Sequence, residues 1–62
     1  MNMGTIDKLY EEASMAKEEL DQAWQNFNYA SKDMVDSAVL DLKAKQEKYM
    51  CLVRKLKNEV FQ

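Results

Sequence analysis

Phe27-Asn28-Tyr29-Ala30-Ser31-Lys32-Asp33-Met34-Val35-Asp36-Ser37-Ala38-Val39 is the stretch in which the apolar pattern of this chain changes phase. Before it, Ile6, Leu9, Ala13, Ala16, Leu20, Ala23, Phe27 and Ala30 recur at alternating spacings of three and four. After it, Val35, Val39, Leu42, Gln46, Tyr49, Val53, Leu56 and Val60 recur in the same way, with one polar member. Continuing the first rule would instead reach Met34, Ser37, Asp41, Ala44 and Lys48, which form no seam. One helix cannot carry both stripes, because a heptad seam keeps one phase along one face. The chain is therefore expected to fold back near residues 28–33 as an antiparallel helical hairpin.

The expected first helix spans about residues 5–29, with Thr5 as N-cap and Asp7 in its first turn. Asn28 is placed to close it in a left-handed conformation. The turn is expected over about residues 29–33. A second helix follows over about residues 33–60, capped by Ser31 or Asp33 and with Asp36 near its start. Positions whose numbers sum to about 62 then face one another, so Tyr49 meets Ala13, Leu42 meets Leu20 and Val35 meets Phe27. The alanines leave room for the tyrosine ring, as close packing requires. Gln46 reads as an amide at the seam's edge reaching water, or as a polar residue fixing register.

The 62 residues allow one small domain, read as 1–62. Chains below ~70–80 residues need disulfides, a metal or oligomerisation to hold a core. Cys51 is the sole cysteine and histidine is absent, which rules out an internal disulfide and argues against a structural zinc. Oligomerisation is the remaining remedy, and a homodimer forming a four-helix bundle is expected. The longest aliphatic run, Met50-Cys51-Leu52-Val53, is far short of the ~20 residues of a membrane span. No hydrophobic stretch follows Met1-Asn2-Met3-Gly4 as a signal peptide would need. Cytoplasmic placement with a reduced thiol is the expectation.

The net charge of −2 conceals an asymmetry. Asp7, Glu11, Glu12, Glu18, Glu19 and Asp21 dominate the first half, whereas Lys43, Lys45, Lys48, Arg54, Lys55 and Lys57 dominate residues 43–57. An antiparallel hairpin lays the two stretches side by side, with Glu12 and Glu19 expected to flank Lys45.

Catalysis has little support. Without histidine the usual nucleophile–base pairs cannot be assembled. The Glu11-Glu12 and Glu18-Glu19 doublets point ~100° apart on a helix and line no common pocket. Cys51 reads as a passive thiol. No enzyme activity, cofactor or metal is expected. Trp24, Phe27 and Met34 around the turn, with Tyr49, Leu52 and Val53, are the candidate protein-contact residues, since a two-helix layer can hardly enclose an indole. The alternative is nucleic-acid contact through Lys43, Arg54 and Lys57. Against it, the cations bracket the apolar stripe instead of forming one face.

Ala23-Trp24-Gln25-Asn26-Phe27-Asn28-Tyr29, Met34-Val35-Asp36-Ser37-Ala38-Val39, Leu42-Lys43-Ala44 and Lys48 through Lys57 together resemble the YaaL-like family, small uncharacterised proteins of Gram-positive, often spore-forming bacteria. The resemblance covers about residues 20–58 and lies in the aromatic helix end, the short turn, the Val-Asp pair and the basic Tyr-containing stretch. Ser31-Lys32-Asp33 lacks the proline common in that family's turn, and Lys45-Gln46 replaces a more hydrophobic or acidic pair. The resemblance implies a bacterial cytoplasmic setting and carries over no site residue. The resulting expectation is a non-enzymatic adaptor or small regulator that acts through self-association and contact with an unidentified protein partner.

Overall fold

The computed structural model describes residues 3–61; the reading of Met1 and Asn2 given above lies outside them. Two α-helices, α1 (Met3–Asn28) and α2 (Val35–Val60), make up the described chain, and no strand occurs among its residues. They form a helical hairpin 48 Å long. Each helix has 26 residues, or ~39 Å at 1.5 Å per residue, so the hairpin is one helix length long and two helices wide.

The ends differ from the capping chemistry expected of the sequence. Helix α1 begins at Met3, which puts Thr5 inside the helix and Asp7 beyond its first turn. Extending an existing helix by a residue is far easier than nucleating one, so a good cap does not oblige the helix to start there. At the other end Tyr29 N–H donates to the Gln25 carbonyl at 3.1 Å and Ala30 N–H to the Phe27 carbonyl at 3.3 Å. The helix tightens to its close without a left-handed residue, and Asn28 is its last member. Helix α2 starts at Val35, two residues later than expected, behind Met34, whose side chain makes no capping bond. Ser31 contributes through its backbone, its carbonyl accepting from Met34 N–H at 2.9 Å. Asp36 in the first turn and Lys57 in the last complement the dipole of α2.

The inward face of α1 is the seam read from the sequence: Ile6, Leu9, Leu20, Phe27 and Ala30 are half-buried, and Ala13, Ala16 and Ala23 are buried at 7%, 1% and 2% exposure. These three alanines are the whole buried core among the described residues. Small side chains allow two helical backbones to approach closely, and the larger residues opposite fill the flanks. Helix α2 keeps Val35, Leu42, Tyr49, Val53 and Leu56 inward, as expected. Between them it turns Ala38, Lys45, Leu52 and Glu59 towards α1, while Val39, Gln46 and Val60 are exposed. Gln46 therefore sits at the solvent edge. Lys45 is accommodated because its aliphatic stem covers apolar surface while its ammonium group reaches outward.

Candidate functional site: two unlike faces of the hairpin

A two-helix layer has two broad faces, one on each side of the seam. On the first, Glu12, Met15 and Glu19 of α1 border a shallow groove with Lys48, Cys51, Leu52 and Lys55 of α2. Lys48 Nζ donates to both carboxylate oxygens of Glu19, at 3.2 and 3.3 Å. Lys45 Nζ lies 3.8 Å from the same carboxylate and 3.8 Å from Asp41. Glu19 thus holds two cations of the opposite helix, while Glu12, expected beside Lys45, instead lines the groove with Lys48 and Lys55. The charge of this face is largely matched within the hairpin.

The second face is built differently. Tyr10, Ala13, Ser14 and Lys17 line a groove with Tyr49, Val53 and Leu56. Through Lys17 it continues to Leu20, Trp24, Leu42 and Gln46, and through Tyr49 and Val53 to Met50, Arg54 and Lys57. The Trp24 and Phe27 rings lie 5.7 Å apart and tilted by 40°, within the range of favourable aromatic pairs. Phe27 is half-buried, and Trp24 stays 50% exposed. Lys17 is bound to Asp21 of its own helix at 3.0 Å. That hydrogen bond, with the Asp21 charge and a smaller contribution from Tyr49, holds its ammonium group above the ordinary lysine value. Lys43, Arg54 and Lys57 make no ion pair among the described residues.

The candidate contact residues therefore separate. Trp24, Tyr49 and Val53 share the second face, Leu52 lines the first, and Met34 stands exposed beside the turn. Arg54 and Lys57 share a groove with Tyr49. Tyr10 and Met50, 65% and 53% exposed, belong to the second face as well. Met50 marks the edge of the wide apolar arc that the sequence places on the second helix, whereas Tyr10 was passed over because it stands one step outside the first seam.

Among the described residues no three Cys, Asp or Glu side chains gather to hold a metal, and no helix is long and apolar enough to cross a membrane. Comparison with known proteins finds no matching family model, curated protein or solved structure.

Proposed function

We propose that this hairpin is a non-enzymatic protein–protein interaction module, a cytoplasmic adaptor or small regulator, whose working unit is a homodimer closed as a four-helix bundle. One observation carries the reading. Among the described residues only three alanines are buried and the larger seam residues are half-buried, whereas Trp24, Val39, Leu40, Met50 and Tyr10 all stand in solvent. At ~25 cal/mol per Å² of apolar surface, such partial burial supplies less than a folded domain of this size needs. Covering the large side chains with another chain supplies the remainder. The resemblance to YaaL-like proteins supports the bacterial, cytoplasmic setting.

The test is solution mass by light scattering over a concentration series, with thermal loss of helical content followed in parallel. A dimer that dissociates on dilution with a falling thermal midpoint supports the reading. A chain that stays monomeric at every concentration overturns it.

Among the described residues Lys43, Arg54 and Lys57 make no ion pair, which favours a second reading, contact with a nucleic-acid backbone. It calls for binding that weakens steeply with salt and is abolished by reversing the charge of all three residues.

A further inference from the structure

We propose that the face bearing Tyr49 is covered by a second copy of the chain, related by a two-fold axis running along the hairpin, so that α2 of each copy lies over α1 of the other. The proposal rests on the self-association argued above and adds to it a face, a symmetry and a charge code.

The choice of face follows from charge. On the first face Glu19 already ties Lys45 and Lys48 to the opposite helix. On the second face no ion pair joins α1 to α2 among the described residues, Lys43, Arg54 and Lys57 make none there, and Tyr10, Trp24, Val39 and Met50 are exposed. A partner for that face must offer apolar surface together with acids.

The chain itself carries such a surface in matching register. Along the flank of α1 beside this face, Asp7, Tyr10, Ser14, Lys17, Asp21 and Trp24 repeat at spacings of three and four. Along the corresponding flank of α2 the same repeat runs from Val39 through Lys43 and Val53 to Lys57. Within one hairpin, residues level with each other have numbers summing to about 62–64: Tyr49 lies by Ala13, Leu42 by Leu20, and Lys45 by Glu19. A two-fold axis along the hairpin leaves every residue at its own height, so the same sums hold across the interface. Lys57 then meets Asp7 of the partner subunit, and Val53 meets Tyr10 of the partner subunit. Lys43 meets Asp21 of the partner subunit, beside Lys17 of the partner subunit, which also binds that carboxylate within α1, and Val39 meets Trp24 of the partner subunit. At these four levels basic residues fall on acids and apolar residues on aromatics, while Met50 and Gln46 fall level with Ser14 of the partner subunit and Lys17 of the partner subunit.

The other two-fold arrangement, with its axis across the hairpin, would lay α2 over α2 and oppose like charges, which costs affinity. The face is 48 Å long and two helices wide, an extended surface of the kind a stable two-chain interface needs.

A charge-swap cycle on the full chain tests this, with the dimer dissociation constant read at low salt by sedimentation equilibrium. Lys57→Glu and Asp7→Lys are each expected to weaken the dimer about five- to tenfold, since each turns two symmetry-related attractions into repulsions. The double variant Asp7→Lys/Lys57→Glu is expected to return to within about threefold of the original. Lys55→Glu, near the same helix end but on the other face, controls for the local cost of an acid close to the C-terminus of α2. An original dimer indifferent to Lys57→Glu, or weakened without rescue by Asp7→Lys, overturns this arrangement and leaves self-association standing. A monomer at every concentration overturns both.

Discussion

Lys48 reaches across the hairpin to place its Nζ 3.2 and 3.3 Å from the two carboxylate oxygens of Glu19, a residue 29 positions earlier in the chain. Together with Lys45 at 3.8 Å it makes Glu19 the electrostatic tie between α1 and α2. Both partners are substantially exposed, so solvent screens the attraction and the tie sets register more than stability. Glu19→Gln is expected to cost about 0.5 kcal/mol and Glu19→Lys about 1 kcal/mol. A double-mutant cycle with Lys48→Gln in urea unfolding reads the coupling, which should shrink in high salt.

Alanine at position 16 matters more. It is the most hidden of the described residues, at 1% exposure, and faces the opposite helix. Ala16→Leu must push α2 outward or force strained rotamers, and a loss of about 1–3 kcal/mol is expected. Gln25→Leu, on the same helix but exposed and outside both grooves, is expected to stay within ~0.5 kcal/mol. Thermal midpoints of the two variants, followed by helical content, make the comparison.

The hairpin and the whole inner face of α1 were legible in the sequence, because there the small and apolar residues sit at helical spacing with no polar intruder. Helix α2 was legible along its spine, from Val35 through Leu42, Tyr49 and Val53 to Leu56. The intervening positions were ranked by side-chain hydrophobicity, which favours Val39 and Val60 over Ala38 and Glu59. The fold rotates the other way. Lys45 is drawn inward by the carboxylate of Glu19 and covers the seam with its methylenes, and Val39 is left 44% exposed. The caps were misplaced for a similar reason: Met34 opens α2 through backbone geometry alone, with no side-chain signal to read. The second face could not be read as a unit, since its residues come from flanks on two helices whose register must be known first.

That rotation yields its own prediction. Val39→Asp is expected to leave the intramolecular hairpin's stability within ~0.5 kcal/mol, because an exposed position tolerates charge. Ala38→Asp, half-buried against α1, is expected to cost about 1–3 kcal/mol through desolvation of its carboxylate. Denaturant unfolding at a concentration where the chain is monomeric separates the two; the sequence-based seam would give the reverse order.

Lys17 offers a pH-dependent check on the second face. Its hydrogen bond to Asp21 raises it above the ordinary value of 10.5. A raised lysine stabilises the fold fully below its unfolded value, and that contribution disappears as pH climbs through the folded one. The pair's contribution is therefore expected to hold through neutral pH and to fade only above about 10.5. Asp21→Asn should bring the Lys17 titration, followed by its side-chain resonances, down towards the ordinary value.

Trp24 reports directly on whether the second face is covered. In the single hairpin its indole is 50% exposed beside Phe27, so a dilute solution is expected to emit at long wavelength and to be readily quenched by acrylamide. If a second copy lies over this face, raising the concentration shields the indole. Emission then shifts to shorter wavelength and quenching falls in step with the rise in mass. Trp24→Ala removes a large apolar group from the covered surface and little from the three-alanine core. The helical content of the monomer should therefore persist while the dimer weakens by about 1–3 kcal/mol, roughly five- to a hundredfold. Mass that rises with concentration while the emission stays unchanged would place the interface on the Glu19 side of the hairpin.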